Sequence, residues 1–418
     1  MVLAAAHSSN LFMVPEVRKR YMQHWLLLKG SYMSSDINID KQYLIETLRQ
    51  LIGINSILPN ETQISEFIAD QLQDLGVDPE WHEVAPGRPN VYATAKIGTQ
   101  DRFLVLSGHS DTVGVASGWE TDPFVMTEQD GRLYGLGAVN MKGGIACTLA
   151  AFKALVEADV GRRGRLGFAV TADQEGHSIG ARALLKTDYG KCDAMLHAEH
   201  FFGSSEKDYL PSAVTGKVLY KLTVKGRAAH AFRPHLGGIN AVEDASKIVT
   251  ALDRLPLRDD KTFGKGTICT LRIEGGYAEY SIVVPERCEI VITRLTVPGE
   301  TREVAVNDMR ELIDSLGLTS QVDIETPPPC YDPYFLDEDL EIVSCFTDSY
   351  KSVLGQDPYF SGHRGIVDAN VFVAEGGIPT VVFGPRGANH HCPGEYVEMS
   401  TLVPTAHVLA DTGKKYLS

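Results

Sequence analysis

The chain has 418 residues and a formal net charge of −15, from 39 Lys and Arg against 54 Asp and Glu. This length suggests two domains, and the acidic balance disfavours nucleic acid and anionic membrane surfaces as main partners. No window approaches the roughly 18 to 20 apolar residues of a membrane span, so we expect no membrane partner either.

The cysteines and the first residues indicate a reducing compartment. The seven cysteines include no C-x-x-C pair, which fits buried thiols in the cytoplasm better than a disulfide framework. The N-terminus lacks a basic region before its short apolar run, so we predict no secretory signal. Residues 1–38 are predicted to be an N-terminal extension, in which residues 15–38 are either an arm that packs on the body or on a partner subunit, or a loosely ordered segment.

Predicted helices and apolar strands alternate along the first half of the chain. KQYLIETLRQLIGINS, residues 41–56, has helical spacing, with Asp40 as a plausible N-cap. A second amphipathic helix ends at Gly76. VYATAKI, FLVLSGHSD, RLGFAVTAD and DAMLHAE are predicted strands, and KGGIACTLAAFKALVEA is a helix between them. This alternation predicts an α/β domain with a largely parallel central sheet, formed by residues 39–214 and 329–418.

The pattern changes near residue 215 and predicts an inserted domain at residues 215–328. The strands KVLYKLTVKGRAAHA, TICTLRIEGG, RCEIVITRLTVPG and SQVDIET are interrupted by two helices in the order β-α-β-β-α-β. This order is typical of a ferredoxin-like unit. TPPPC then serves as a rigid exit linker, after which the α/β pattern resumes.

Polar residues follow the predicted strands or lie in the loops between elements. Histidine and carboxylate ligands that leave one coordination position open suit Zn²⁺, Mn²⁺ or Co²⁺. Each residue alone is most often a surface residue, and only their joint occurrence at strand ends favours a metal site. The five positions are His109 in SGHSDTV, Asn140 in GLGAVNMKGG, Glu175 in ADQEGHS, Glu199 in HAEH and His391 in NHHCPGEYV. Asp111, two residues after His109, could accept the second ring N–H and fix that ring.

These motifs resemble the M20 family of metallopeptidases and amidohydrolases over about residues 41–418. GHSDTV, WETDPF, LYGLGAVNMKGG, TADQEGHSIGA, GRAAHA, GINAVE, TRLTVPGE, GIPTVVFGP and HHCPGEYV occur in the expected order. The resemblance implies a zinc-binding catalytic domain and a ferredoxin-like lid that commonly pairs two subunits, and hence a homodimer. It also implies a small substrate that carries an amide or carbonyl group and a carboxylate.

The resemblance assigns roles to individual positions. His109 and Glu199 would hold one metal, and Glu175 and His391 the other. Asn140 stands where the family has a bridging aspartate.

Further positions match the base, the lid and the substrate-binding region. Gln174 stands where the family has its general-base glutamate. His230 in GRAAHA matches a lid histidine that reaches a neighbouring subunit's site and helps to stabilise the oxyanion. Arg294 matches a retained lid arginine near the substrate, although a lid salt bridge is an equal alternative. Asn240 in GINAVE is assigned to substrate binding, and Arg386 is placed to meet a substrate carboxylate, unless it is an outward-facing loop residue.

The two amides change the expected chemistry. Only Glu175 and Glu199 remain as ligand carboxylates, and their charge of −2 neutralises one divalent ion, so we predict one tightly held metal or a weakened pair. Gln174 cannot accept a proton, and the loss of a positioned base costs on the order of 10² to 10⁴ in rate. A histidine near the ligands could replace it. The candidates are His177, His200, His363 and His390.

Three functions remain open on the sequence. The first is a metal-dependent hydrolase of small N-acyl amino acids or peptides with a non-standard base. The second is non-hydrolytic acyl transfer, condensation or cyclisation, because metal and oxyanion donors would still polarise a carbonyl. The third is a catalytically dead binding protein or a deliberately inactivated variant.

Overall fold

The structure is a computed structural model that describes residues 37–98, 102–158, 163–200, 202–204, 207–279 and 281–418. Residues 1–36 of the predicted N-terminal extension therefore lie outside the described residues. The chain enters the hydrophobic core at Ile37 and Ile39, which are both buried.

The helices of the described residues largely follow the predicted apolar spacing. Asp40 accepts a hydrogen bond from the Tyr43 backbone N–H, as the predicted N-cap should. The helices are α1 (Lys41–Gly53), α2 (Thr62–Asp74), α3 (Gly143–Glu157), α4 (Ile179–Leu184), α5 (Ala241–Thr250), α6 (Arg302–Ser315), α7 (Glu341–Leu354) and α8 (Met399–Tyr416). Contrary to the expectation from the sequence, one stretch of the described residues, Ala138–Glu157, is long and apolar enough to span a membrane, but 89% of its most apolar window is buried inside the protein.

The strands form several sheets, of which the first two described below organise the molecule. They are β1 (Pro79–Ala85), β2 (Arg88–Gly98), β3 (Arg102–His109), β4 (Thr127–Gln129), β5 (Arg132–Tyr134), β6 (Arg163–Thr171), β7 (Ala194–His197), β8 (Phe202–Ser204), β9 (Lys207–Val214), β10 (Gly216–Lys225), β11 (Asp259–Asp260), β12 (Gly264–Lys265), β13 (Thr267–Gly275), β14 (Arg287–Thr296), β15 (Gln321–Glu325), β16 (Tyr334–Phe335), β17 (Phe360–His363), β18 (Thr380–Val382), β19 (Gly387–Ala388) and β20 (Tyr396–Glu398).

The largest sheet confirms the α/β class. Its order is β1-β2-β6-β3-β7-β18, and the pairs from β6 to β18 are parallel, whereas β1 and β2 are antiparallel. The central strands are almost continuously buried because helices cover them: α3, for example, buries nearly its whole length. The parallel strands therefore point their carboxyl ends at one edge, where loops can collect functional side chains.

A second sheet contains the strands of the predicted insertion. Its order is β13-β14-β10-β15, with antiparallel pairing, and α5 and α6 interrupt the strands in the chain order β-α-β-β-α-β. A separate core joins this sheet to its helices, including Tyr220, Ile248 and Met309. The exact limits at residues 215 and 328, and a lid or dimerisation role for this unit, remain predictions.

Candidate metal and substrate site

His109 ends β3 and lies in the buried part of the site. Its Nε2 is 3.2 Å from Asn140 Oδ1 and 3.5 Å from Glu199 Oε2. Its Nδ1 is 3.1 Å from the Asp111 backbone oxygen and 3.4 Å from Asp111 Oδ1. Burial opposes protonation, but the hydrogen bonds to Asp111 and Glu199 outweigh it and raise the pKa of His109 well above its ordinary value. The imidazole is thus fixed between two carboxylates.

Asp111 holds the loop after β6 in place. Its Oδ1 accepts from the Gln174 backbone N–H at 3.0 Å, and its Oδ2 accepts from the Glu175 backbone N–H at 2.9 Å. Burial favours the neutral acid, yet the contact with His109 and these two N–H groups lower the pKa of Asp111. The same carboxylate therefore orients one ligand histidine and the loop that carries two other site residues.

Asn140 connects the two ligand pairs. Its Oδ1 faces His109 Nε2, whereas its Nδ2 donates to Glu175 Oε1 at 2.8 Å and lies 3.0 Å from His391 Nε2. An amide nitrogen facing a carboxylate is the favourable orientation, because Glu175 can only accept. The amide therefore presents an oxygen to one pair and N–H groups to the other.

The turn before α3 is held by a buried carboxylate that the sequence did not single out. Glu395 accepts from the backbone N–H groups of Gly137, Val139 and Asn140 at 2.9 to 3.0 Å. The start of α3 also packs closely on the segment after β7, since a Cβ at Gly144 would lie 1.9 Å from the Ala198 backbone oxygen. These contacts bring the Asn140 side chain to the strand ends.

Glu175 and His391 form the outer pair. Glu175 Oε1 is 2.7 Å from His391 Nε2, and the His391 side chain is 45% exposed. The hydrogen bond that the His391 ring donates to Glu175 raises the pKa of His391. This pair is satisfied by its own contacts and by the Asn140 amide.

Glu199 follows β7 and contacts three imidazoles. Its Oε1 is 3.0 Å from His200 Nδ1, and its Oε2 is 3.8 Å from His197 Nε2 and 3.5 Å from His109 Nε2. Burial favours the neutral acid, but the contacts with His109, His197 and His200 lower the pKa of Glu199 far below its ordinary value. Oε2 is nevertheless buried without a hydrogen bond. This oxygen faces His109 Nε2 at 3.5 Å and has no hydrogen bond, so it could also face a bound cation.

The donor atoms at the inner position are of the type that can hold a divalent metal ion. His109 Nε2, Asn140 Oδ1 and the unsatisfied Glu199 Oε2 converge, and nitrogen and oxygen donors of this kind suit Zn²⁺, Mn²⁺ or Co²⁺. The outer pair offers an imidazole and a carboxylate, but the group facing it from Asn140 is a donor. In the described part of the chain, no three or more His, Cys, Asp or Glu side chains are grouped so that they alone could hold a metal ion.

Gln174 lies beside Glu175 at the predicted base position. Its Nε2 is 3.4 Å from the Ile366 backbone oxygen, and its Oε1 is buried without a partner. An amide oxygen can orient a hydrogen-bond donor, but it cannot take up a proton at ordinary pH. The structure thus puts Gln174 in the cavity without restoring a base there.

A cavity of about 470 Å³ opens from these side chains, a size suited to a small ligand. Tyr209 and Arg364 line it although no sequence motif had marked them, and Tyr209 Oη is 3.0 Å from His363 Nδ1. Burial lowers the pKa of His363 and of His390 to about 4, so both imidazoles are neutral at physiological pH. The lining comprises Asn140, Gln174, Glu175, Glu199, His200, Tyr209, residues 363–367 and residues 387–391.

Two predicted substrate-binding residues make structural contacts instead. Arg294 is fully buried in the inserted unit, where it pairs with Glu300 and, at 2.8 Å, with Asp308. It is therefore the salt bridge that the sequence had left as the alternative. Asn240 caps α5, because its side-chain oxygen accepts from the Val242 and Glu243 backbone N–H groups. Those hydrogen bonds hold the side chain at the helix start, and its assignment to substrate binding remains a prediction.

Three other predicted residues do not line the cavity. His177 is exposed on the loop after Glu175. Arg386 lies next to lining residues but is not itself among them. His230 is in the inserted unit, bridged to Val283, and does not line this chain's cavity. Its role at a partner's site remains a prediction.

Fold and site together define an α/β protein in which polar side chains at the carboxyl ends of parallel strands and in nearby loops meet beside one cavity. A model of Peptidase family M20/M25/M40 matches residues 105–415. The chain belongs to this family.

Its relatives are enzymes of related kinds. The chain is 27% identical over 364 residues to a succinyl-diaminopimelate desuccinylase of Magnetococcus marinus, covering 85% of this chain and 93% of that protein. The structure of aminopeptidase PepT from Bacillus cereus is similar to that of this chain, with a TM-score of 0.74 at 21% identity, and the match covers 91% of this chain and 100% of that one. The structure of YxeP from Bacillus subtilis, a dinuclear metal binding peptidase from the M20 family, is also similar. Its TM-score is 0.67 at 17% identity, and the match covers 90% of this chain and 98% of that one.

Proposed function

We propose that the protein is a metal-dependent amidohydrolase that cleaves the amide bond of a small N-acyl amino acid or peptide. The observation that carries this proposal is the convergence of His109, Asn140 and Glu199, with an unsatisfied Glu199 oxygen, where Asn140 and Glu199 also line a substrate-sized cavity. Family membership and the desuccinylase relatives support amide-bond chemistry. The acidic chain is expected to work in the cytoplasm.

We propose that one divalent ion, most simply zinc, is held by His109, Asn140 and Glu199. When bound, such an ion would act as a Lewis acid towards the substrate carbonyl. The Asn140 oxygen faces this position, whereas its N–H groups face Glu175 and His391. Two carboxylates also balance only one divalent charge, so a second ion would be weakly held.

His200 is the proposed base in place of Gln174. Its Nδ1 lies 3.0 Å from Glu199 Oε1, and a ring that donates from Nδ1 carries its basic lone pair on Nε2. His200 lines the cavity beside His363 and His390, both neutral at physiological pH. His200 Nε2 would take the proton from the attacking water and return it to the leaving amine.

Acyl transfer to an amine is the second candidate function. It is favoured by one observation. The side-chain amide oxygen of Gln174, Oε1, is buried without a hydrogen-bond partner where a water-activating carboxylate is expected. This oxygen could accept a hydrogen bond from an amine nucleophile, which needs less help with deprotonation than water does.

A homodimer in which His230 reaches the neighbouring site is proposed for either reaction.

The deciding experiment compares the protein with the Asn140→Asp, Gln174→Glu double variant. N-acetyl and N-succinyl amino acids are offered with zinc, with and without an added amine, and released amine and new amide are both quantified. For a hydrolase we expect the unchanged protein to release the amine together with the free carboxylic acid when no amine is added, because transfer to an added amine would also release the original amine. New amide formed only by the unchanged protein would establish acyl transfer, and amine released only by the double variant would identify a disabled hydrolase.

A further inference from the structure

Arg364 lies at the wall of the cavity, directly after β17. Its Nη2 is 2.8 Å from the Phe263 backbone oxygen and 2.9 Å from the Lys265 backbone oxygen. Both carbonyls belong to the hairpin β11–β12 of the inserted unit. The side chain is thus anchored at one nitrogen and borders the same cavity as Glu175 and Glu199.

The anchoring leaves much of the guanidinium available. Arginine has five N–H groups, and the two on Nη2 are used by the two carbonyls, while those on Nε and Nη1 have no partner among the described residues. No carboxylate of the described chain pairs with Arg364. Other arginines differ: Arg182 pairs with Glu375, and Arg294 pairs with two carboxylates.

The charges around the cavity are unevenly placed. Among the lining residues, all within the described part of the chain, Arg364 is the only arginine or lysine. The carboxylates of Glu175 and Glu199 lie with the candidate metal ligands and would repel an anionic group there. A guanidinium with free N–H groups recognises a carboxylate through two parallel charge-assisted hydrogen bonds.

We infer that Arg364 binds a carboxylate of the substrate and makes the enzyme selective for anionic N-acyl amino acids or peptides over neutral amides. The amide carbonyl would face Asn140 and Glu199, and the carboxylate would face Arg364. This inference rests on the proposed function, because it assigns the substrate class of the same cavity. Arg364, which lines the cavity, would then bind the substrate carboxylate that the sequence analysis had assigned to Arg386.

The test uses N-acetyl amino acids with apolar, acidic and basic side chains, each paired with its C-terminal carboxamide. kcat/KM is measured for the unchanged protein and for Arg364→Gln, Arg364→Lys and the control Arg386→Gln. We expect Arg364→Gln to lose about 10- to 100-fold on the carboxylates, mainly through KM, and little on the carboxamides. Arg364→Lys should fall between, because a point charge replaces a planar fork. Arg386→Gln should leave the preference unchanged.

An equal loss on carboxylates and carboxamides, or none on either, would overturn the inference. If the unchanged protein cleaves none of the compounds, the proposed function fails but Arg364 remains testable by calorimetric binding of the same pairs. Tighter binding of the carboxylate member that disappears in Arg364→Gln then supports the inference, and equal binding of both members rejects it. Metal content and melting temperature of each variant separate a folding defect from lost recognition.

Discussion

His109 and Glu199 lie in the interior of the site, whereas Glu175 and His391 lie near its mouth, and one amide connects the two pairs. The His109 side chain is 0% exposed and that of His391 is 45% exposed. Asn140 turns its oxygen to the inner pair and its nitrogen to the outer pair. An aspartate would offer an oxygen to both. The comparison shows how one neutral side chain can make two similar ligand pairs unequal.

The largest expected effect separates the inner pair from the outer pair. His109→Ala removes a ligand from the proposed metal position, so bound metal and amide hydrolysis should both fall to background. His391→Ala removes an outer residue and should leave close to one ion bound. Elemental mass spectrometry after dialysis measures both variants, and equal metal loss in the two would break the comparison.

The next effect concerns proton transfer. His200→Ala should lower kcat by about 10² to 10⁴, the usual contribution of a positioned general base. His177→Ala is the matched control, because this exposed histidine does not line the cavity. Steady-state kinetics on a cleaved N-acyl amino acid decide between them. Unchanged kcat in His200→Ala would remove this residue from the mechanism.

The smallest effect lies outside both pairs, in the inserted unit. Contacts with Lys247 and with the Ser320 backbone N–H outweigh burial and lower the pKa of Asp244 to about 2. Because the folded pKa is below the unfolded value of about 3.9, this stabilisation is present above pH 4 and is lost as the pH falls towards 2.

Asp244→Asn should therefore reduce the free energy of unfolding by on the order of 1 to 2 kcal/mol at neutral pH, and by less near pH 2. Denaturant titrations at several pH values measure this difference. Metal content should not change, so a coupled loss of metal would show that the site depends on this unit more closely than we propose.

Much of the fold could be predicted because it depends on local pattern. Apolar spacing located α1 and its cap at Asp40, and continuous apolar runs located β3 and β7. The five predicted ligand positions also came together, because the ends of parallel strands meet at one edge of the sheet.

Contacts between distant segments could not be predicted in the same way. Arg364 and Tyr209 reach the cavity only because β17 pairs with β9. Glu395 reaches the Asn140 turn across more than two hundred residues. Arg294 and Asn240 lie in recognisable motifs, but a buried ion pair and a helix cap satisfy them. Sequence can propose such polar residues, whereas only packing shows which partner each one takes.

The most direct test of the central claim is a metal titration of the unchanged protein beside Asn140→Asp. Both are stripped with a chelator, loaded with zinc, dialysed and analysed by elemental mass spectrometry. We expect about one tightly bound ion per chain for the unchanged protein and about two for the variant, because the aspartate gives the outer pair an anionic oxygen. Two tightly bound ions in the unchanged protein would contradict the account.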